Sequence, residues 1–266
     1  MIFDLVWLET LEKTLAKGKE VSPRGRKTLE LPQHTVEVDA RRPVLMIPER
    51  KLSYQFMAAE AYWILTGDNR VETIEPWNKH ITKFSDDGKV FAGAYGPKVV
   101  EQLNYVVKAL AKDSDTRQAV MTIWRPNPPP SKDIPCTVAL DFKMRGAQLN
   151  CHAFMRSSDQ WLGLPYDVFN FSMLTHLVCG LYHANGTRPA IEPGTLYLTA
   201  ASSHLYEEQW EDARKLIRNS YAQCTAKTPE KLYTSPAKLL ATLEMLRDTK
   251  AGDSLRWWNL NGVWNE

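Results

Sequence analysis

The sequence has 266 residues, enough for one large domain or two small ones with a sizeable core. Its formal net charge of +2 excludes a global field that would draw the protein onto nucleic acid or an acidic membrane, so local cations must hold any anionic partner. No apolar run reaches the ~20 residues that span a bilayer, and acidic residues interrupt residues 1–15 where a signal peptide would be apolar. We therefore expect a cytoplasmic protein (in the host cytoplasm if it is phage-encoded) that needs neither membrane nor nucleic acid.

The predicted elements mix helices and strands along one chain. The hydrophobic periodicity predicts, in chain order, helices at about 3–17, 54–66 and 98–111, strands at 119–124, 137–144 and 148–155, a buried helix at 169–181, a strand at 196–200, and helices at 204–218 and 236–247. The turn at residues 145–147 predicts a hairpin between the second and third strands. No repeat or long linker divides the chain, and this pattern predicts a single domain of the α+β class over residues 1–266.

The four cysteines show no CxxC pairing and no metal-ligand spacing with histidine, so we expect no metal site. In a reducing compartment such cysteines are either core residues or chemical groups. Cys136 follows a proline-rich excursion at residues 125–132 and begins a predicted strand, where the sheet would anchor a side chain that reaches a cleft. By itself this position equally suits a small apolar core residue.

A polar segment at residues 155–167 changes that interpretation, because hairpin pairing would bring it close to Cys136. Its Arg156 could stabilise the thiolate form of Cys136, which is the nucleophilic form. Arg156 and Ser157 also suit a phosphate group, one through a charged hydrogen bond and the other through a neutral one. A solvated turn with an ordinary ion pair is the alternative.

Six motifs appear in an order that resembles the thymidylate synthases and the related pyrimidine nucleotide hydroxymethylases. They are EAYWILTGD at 60–68, AYG at 94–96, DTRQ at 115–118, PCT at 135–137, MRSSDQWLGLPYD at 155–167 and SHLY at 203–206. The resemblance covers about residues 5–218 and leaves 220–266 as a divergent C-terminal segment. It implies a central mixed β-sheet flanked by helices, a homodimer formed through the sheet, and 5,10-methylenetetrahydrofolate as the cofactor.

The resemblance also implies a role for each matching residue. Cys136 would add to carbon 6 of the pyrimidine, Glu60 would act as the general acid/base, and Tyr95 would belong to the network beside the nucleophile. The remaining implied roles are binding of the 5′-phosphate by Arg24, Arg156, Ser157 and the other subunit's Arg117, binding of the sugar 3′-hydroxyl by His204 and Tyr206, and binding of the folate pterin by Asp159, Leu162 and Gly163.

Each of these residues also has a purely structural interpretation. Glu60 could lie on the polar face of a helix, Tyr95 could belong to the core, and His204 could stand at a helix start capped by Ser203. Arg26 could take the place of Arg24, because both belong to the same short basic segment. Gln118 stands where the family commonly has a second arginine, which puts more of the phosphate binding on Arg117 and Arg156.

Asp167 is the most informative departure from the thymidylate synthases, which have asparagine at this position. A carboxylate can accept a hydrogen bond from the amino group of cytosine, and a protonated carboxyl can also donate to N3. The deoxycytidylate hydroxymethylases resemble this sequence at the same position. Thr137, where the synthases usually have histidine, also fits a different base. An N-cap of the following helix is the structural alternative for Asp167.

The implied product is a 5-hydroxymethylcytidine nucleotide, formed from dCMP or CMP. After Cys136 has added to carbon 6, carbon 5 attacks the one-carbon unit and folate leaves an exocyclic methylene, to which either water or a hydride is added. Residues 80–84 lack the tryptophan that shields this methylene in the synthases, and residues 255–266 do not resemble their closing tail. Both departures favour water.

Several rival functions remain open at this stage. The nearest are a dCMP 5-methyltransferase and, further away, a thymidylate synthase or hydroxymethylase acting on dUMP. A Cys136–His204 hydrolase or amidotransferase and a nucleotide- or RNA-binding module without activity are rivals from other classes. The sequence leaves open whether the sugar is ribose or deoxyribose, and whether the product serves modified phage DNA or a nucleoside natural product.

Overall fold

The computed structural model describes residues 2–186, 190–224 and 236–249. The helices of these ranges are α1 (Phe3–Lys17), α2 (Tyr54–Leu65), α3 (Val71–Ile74), α4 (Gly96–Lys112), α5 (Leu164–Ala184), α6 (Trp210–Cys224) and α7 (Pro236–Asp248). The strands are β1 (Lys19–Val21), β2 (Thr28–Asp39), β3 (Val120–Thr122), β4 (Thr137–Arg145), β5 (Gln148–Met155), β6 (Ser158–Asp159) and β7 (Glu192–Tyr206). None of the helices in these ranges is long and apolar enough to cross a bilayer.

The strands form one mixed sheet in the order β1-β2-β7-β5-β4-β3, with β6 paired to β7. The β4–β5 hairpin is antiparallel and joins Arg145 to Gln148 across its turn, as predicted. The pairs β5–β7 and β6–β7 are parallel, because α5 carries the chain from β6 back to the start of β7. Helices on one side of this sheet form the α+β architecture that the sequence predicts.

The core lies between the sheet and the helices. Alternate residues of β5 (Leu149, Cys151, Ala153 and Met155) are buried, while Phe154 on the other face is 45% exposed. Helix α5 is apolar on nearly all sides because it packs against the sheet as well as against α2, α4 and α7. Helix α2 begins at a Ser53 cap and ends before Gly67, whose φ of 78° requires glycine. The sheet and these helices together hold the candidate site.

Most predicted elements are confirmed, one prediction is wrong, and the long strand β2 was missed. The predicted helix at 204–218 begins at Trp210, because residues 204–206 complete the long strand β7. Strand β2 was not predicted, since Pro32 interrupts its alternation and proline is unfavourable in a central strand. The structure accommodates Pro32 without a register shift: Pro32 pairs with Ser202 and His34 with Ala200, and Gln33 between them has a φ of 48°. Residues 255–266, which were predicted not to form the closing tail of the synthases, lie outside the described residues.

Candidate functional site

Cys136 lies directly before β4, as the sequence predicts, and its side chain is half-buried. The hairpin pairs Thr137 with Met155 and brings the next residue, Arg156, against it. The Arg156 amide donates to the Cys136 carbonyl at 2.8 Å. Cys136 and Arg156 are therefore neighbours at the adjacent ends of the paired strands β4 and β5.

The Arg156 guanidinium is anchored by the backbone next to Cys136. Its Nε donates to the Pro135 carbonyl and its Nη2 to the Ile134 carbonyl, each at 3.0 Å. Nη2 also lies 3.8 Å from the Cys136 Sγ, and the guanidinium sits 5.9 Å above the Trp124 ring. These contacts hold the exposed guanidinium of Arg156 next to the thiol of Cys136.

Burial has a larger effect on the Cys136 thiol than Arg156 does. Desolvation raises the pKa of Cys136, while Arg156 and Arg24 oppose that rise and the carboxyls of Asp167 and Asp133 add to it. Arg156 therefore favours the thiolate, as the sequence predicts, but burial outweighs its effect. Anything that neutralises Asp167 would help the thiolate form.

Two carboxyl groups, Glu60 on α2 and Asp167 on α5, form what we call the acidic wall of the cleft. Glu60 on α2 accepts a hydrogen bond of 2.8 Å from Nδ2 of Asn170 on α5. Burial raises the pKa of Glu60 to about 7, and the Asn170 contact counteracts part of that rise. Burial raises the pKa of Asp167 well above its ordinary value, and the charges of Glu60 and Asp159 raise it further. Helix α5 begins at Leu164, so Asp167 lies in its first turn and the N-cap alternative is wrong.

Asp159 organises the turn that connects β6 to α5. One of its carboxylate oxygens accepts from the amides of Trp161 and Leu162, both at 2.8 Å, and its carbonyl accepts from the Gly163 amide at 3.0 Å. The Leu162 side chain is 51% exposed. The turn thus presents a carboxylate beside an exposed apolar surface.

His204 and Tyr206 lie at the end of β7, and not at a helix start. His204 is paired with Asp159 of β6, and its ring contacts the Tyr206 ring edge-on with centroids 5.1 Å apart. The Arg26 guanidinium covers the Tyr206 ring at 3.7 Å and pairs with Glu208. The Arg26 guanidinium is therefore held at the end of β7 by Tyr206 and Glu208.

Arg24 is exposed in a tight turn at Pro23–Gly25, where its own φ is 54°. Its charge lowers the pKa of Cys136, which places its guanidinium within electrostatic reach of the thiol. Ser157 lies between the end of β5 and β6, next to Arg156. The basic turn and this connection supply the phosphate-binding candidates of one chain.

Arg117 is not brought to the site within its own chain. It precedes β3, whose Val120 pairs with Asp141, so it lies near the far end of β4. Cys136 stands at the opposite end of β4, roughly 20 Å away at about 3.3 Å per residue. Within its own chain Arg117 therefore lies too far from Cys136 to share a phosphate group with Arg156.

Tyr95 stands beside the nucleophile, at the start of α4. Its hydroxyl accepts a hydrogen bond from the Thr137 amide at 3.3 Å, and its ring stacks on Phe171. Burial raises the pKa of Tyr95, so its hydroxyl keeps its proton. The Thr137 hydroxyl is buried and unpaired among the described residues.

Sequence reasoning missed three residues of this site. Asn170 has a recognisable signal, because it follows Asp167 by three residues and shares its helix face. Arg50 gives no local signal: it donates to the Trp161 carbonyl, at 3.0 Å from Nε, from a distant part of the chain. Asp133 is likewise placed by tertiary contact with the Gly93 amide at 2.7 Å. Within the described ranges no cluster of side chains could hold a metal ion.

Comparisons with known proteins agree with this geometry. A family model described as thymidylate synthase matches residues 6–238, which extends past the motifs to the start of α7. The chain is similar to a deoxyuridylate hydroxymethyltransferase of Bacillus phage SP01, with 27% identity over 241 residues, 79% of this chain and 60% of that protein. It is also similar to a thymidylate synthase of Buchnera aphidicola, with 23% identity over 224 residues, 79% of this chain and 82% of that protein. The chain thus spans less than two thirds of the length of the phage relative.

Proposed function

Because the chain belongs to the thymidylate synthase family, we propose that it is a folate-dependent one-carbon transferase that 5-hydroxymethylates a cytidine nucleotide. The substrate would be dCMP or CMP, and the thiol of Cys136 would add to carbon 6 of the base. One observation carries the choice of base, namely the carboxyl of Asp167 in the acidic wall of the cleft. The catalytic unit would be a single domain to which residues 220–266 contribute a divergent C-terminal segment.

Asp167 suits cytosine because its surroundings favour the protonated form of its carboxyl. Burial and the carboxyls of Glu60 and Asp159 all raise its pKa. A protonated carboxyl offers one acceptor to the 4-amino group and one donor to N3, which matches the edge of cytosine. Uracil presents an acceptor at position 4 and a donor at N3, so it would need the proton on the other oxygen of the carboxyl.

The reaction would use groups from both sides of the cleft. Cys136 would form a bond to carbon 6 while Asp167 donates to N3, and carbon 5 becomes the nucleophile. Glu60, with its pKa of about 7, can exchange protons near neutral pH and orient the water that completes the product. Tyr95 would keep the backbone after Cys136 in place through its contact with the Thr137 amide.

The turn at residues 159–163 fits a folate. An exposed apolar Leu162, a carboxylate at Asp159 and a glycine at 163 suit a flat heterocycle with N–H donors. When bound, 5,10-methylenetetrahydrofolate, the co-substrate used in this family, supplies the one-carbon unit. Arg50 supports this surface from below through the Trp161 carbonyl and a stacking contact of 5.0 Å with the Trp161 ring.

Water, and not hydride, would complete the reaction. The segment around residues 80–84 carries no tryptophan, and His80 is exposed there. Trp77 lies three residues earlier, but the guanidinium of Arg247 on α7 stacks over its ring at 5.4 Å. The Trp77 ring therefore packs against α7. The hydroxymethyltransferase activity named for the phage SP01 relative supports the same outcome. A dCMP 5-methyltransferase is the alternative within the same site.

We also propose a homodimer formed through the open face of the sheet. On this face Phe154 is 45% exposed, and the His152 and Tyr197 rings stack with centroids 4.7 Å apart. Such a dimer would let Arg117 of one subunit join Arg24, Arg156 and Ser157 of the other at the 5′-phosphate. His204 and Tyr206 would hold the 3′-hydroxyl.

A second candidate function is hydroxymethylation of dUMP, which is the substrate named for the phage SP01 relative. It requires the Asp167 carboxyl to accept from N3 and to donate to the carbonyl at position 4.

A hydrolase that pairs Cys136 with His204 has less support. In the described part of the chain, the charges acting on the thiol come from Arg156, Asp167, Asp133 and Arg24, and no histidine is among them.

A substrate panel tests the proposal. CMP, dCMP, UMP and dUMP are each incubated with labelled methylenetetrahydrofolate, and products are identified by mass. We expect the hydroxymethylated cytidine nucleotide, with kcat/KM for cytosine exceeding that for uracil by about a hundredfold or more. Asp167→Asn should reverse this preference, because an amide can accept from N3 of uracil.

Two results would contradict the proposal. A wild-type preference for dUMP would overturn the base assignment and favour the second candidate. Release of dihydrofolate with a methylated product would overturn hydroxymethylation and favour the methyltransferase.

A further inference from the structure

Asn170 is a polar side chain of the cleft to which none of the roles above assigns a function. It lies one turn after Asp167 on α5 and is only 4% exposed. Its Nδ2 donates to the Glu60 carboxylate at 2.8 Å. Since an ionised carboxylate only accepts hydrogen bonds, this contact favours the anion of Glu60.

Glu60 and Asp167 are two carboxyl groups in one poorly solvated cleft. The charge of Glu60 is among the causes that raise the pKa of Asp167, after burial. Two such neighbours cannot readily ionise together, so near neutral pH they share one proton. Only Glu60 accepts a hydrogen bond from Asn170, and within the described ranges no donor contacts the Asp167 carboxyl.

We propose that Asn170 is the positioning residue that decides where this proton resides, by holding Glu60 as the anion and leaving Asp167 protonated. The inference rests on the proposed function, because it is the cytosine ring that requires a proton at Asp167 and a base at Glu60. In this proposal the amide of Asn170 makes two chemically similar carboxyls different: Asp167 becomes the hydrogen-bond donor and Glu60 the base.

The charged and titratable groups that interact with Asp167, Glu60 or their immediate neighbours do not reverse this placement. They are Asp159 on β6, Cys136 before β4, Tyr95 at the start of α4, Tyr166 on α5 and Arg50 before α2. Asp159 disfavours a charge on Asp167, and burial keeps the proton on both phenols. Arg50 is directed to the Trp161 carbonyl.

The second polar atom of Asn170 supports a role in the reaction. Its Oδ1 is buried, and no donor in the described part of the chain pairs with it. A buried acceptor of this kind is ordinarily satisfied by water or by a ligand. A water bound there would lie next to Glu60, where the proposed reaction consumes one.

The placement of the proton also affects the nucleophile. An ionised Asp167 raises the pKa of Cys136, whereas a protonated Asp167 exerts no such repulsion. By keeping the proton on Asp167, Asn170 would favour the thiolate without touching it.

The first test measures the protons in the free enzyme. The whole chain is labelled with ¹³C at the carboxyl carbons of Asp and Glu, and Asp167→Asn and Glu60→Gln identify the two signals. We expect Asp167 to stay protonated at pH 7–8 while Glu60 titrates near 7. In Asn170→Leu the Glu60 titration should move upward by about one pH unit, since a donor to its anion has been lost.

A second test measures kinetics. In Asn170→Leu the acid limb of kcat/KM should move upward by the same amount, and kcat at pH 7 should fall roughly fivefold, with nucleotide binding unchanged within about twofold. Ser172→Ala is the matched control, because it removes a buried unpaired hydroxyl that points to the opposite side of α5. We expect the pH profile of Ser172→Ala to be that of the wild type.

Two outcomes would overturn the inference. One is a wild-type enzyme in which Glu60 holds the proton and Asp167 is ionised at pH 7, a measurement that needs no folded Asn170 variant. The other is an Asn170→Leu enzyme whose Glu60 titration equals that of the wild type. A preference for dUMP with the expected titration would instead overturn the proposed function and leave the proton placement standing.

Discussion

The two walls of the cleft are built in opposite ways. The basic wall consists of two exposed arginines, Arg24 in a turn and Arg156 at a strand end. The Arg156 guanidinium donates to backbone carbonyls at 3.0 Å. The acidic wall consists of Glu60 and Asp167 on helices α2 and α5, where burial raises the pKa of both. One wall meets solvent, and the other excludes it.

This difference follows from what each wall has to do. A phosphate is a permanent anion, so exposed cations can bind it without changing their own charge. Proton transfer requires groups that can hold or release a proton near pH 7, and burial shifts carboxyls into that range. Cys136 lies between the walls and is influenced by both.

Removing the group between the walls should have the largest effect. Cys136→Ala should lower kcat roughly 10³-fold or more, because no other group can form the bond to carbon 6. Nucleotide binding should remain within about threefold of the wild type, since both walls are intact. Activity by product mass and affinity by calorimetry check these outcomes.

Cys151→Ala is the matched control for Cys136→Ala. Cys151 is fully buried on β5, and burial raises its pKa to about 12, so it stays a thiol of the core. This change should lower Tm while leaving kcat near the wild-type value. If Cys136→Ala kept its activity, the covalent mechanism would be refuted.

The basic wall could be predicted largely from the sequence. Arg156 stands in a motif next to a predicted hairpin, and hairpin pairing alone brings it to Cys136. Long periodic helices such as α1 and the β4–β5 hairpin were likewise predictable, because local patterns define them. Strand β2 was not, since Pro32 hides its alternation and most of its length pairs with β7, which is distant in the sequence.

The acidic wall could be predicted only in part. Asp167 was recognised by its departure from the family motif. Its state depends on Glu60, more than 100 residues away, and on Asn170, whose contact with Glu60 exists only in the fold. Burial sets the direction of the pKa shifts on Glu60 and Cys136, and no local pattern reports burial across elements.

Replacing the anchored cation of the basic wall should have an intermediate effect. Arg156→Lys keeps the charge but loses the planar fork that donates to two carbonyls beside Cys136. We expect the Kd for the nucleotide to rise about tenfold to a hundredfold. Alkylation of Cys136 by iodoacetamide should also slow at pH 7–8, because Arg156 lowers the pKa of this thiol.

Arg125→Lys provides the comparison for this change. Arg125 is also an exposed arginine close in sequence to the site, in the proline-rich excursion. We expect its nucleotide affinity and alkylation rate to match those of the wild type. Equal losses in both variants would show that the effect of a lysine substitution is not specific to position 156. They would remove Arg156 from the phosphate site.

The smallest effect should separate the two arginines of the N-terminal turn. Arg24→Ala removes an exposed charge that lowers the pKa of Cys136, and we expect the nucleotide KM to rise about fivefold with Tm unchanged. Arg26→Ala removes the contact of 3.7 Å with the Tyr206 ring and the pair with Glu208, so it should lower Tm by about 2 °C or less. Its KM should rise less than that of Arg24→Ala, because Arg26 belongs to the strand end. The reverse order of the two KM values would transfer the phosphate role to Arg26 and extend the basic wall along β7.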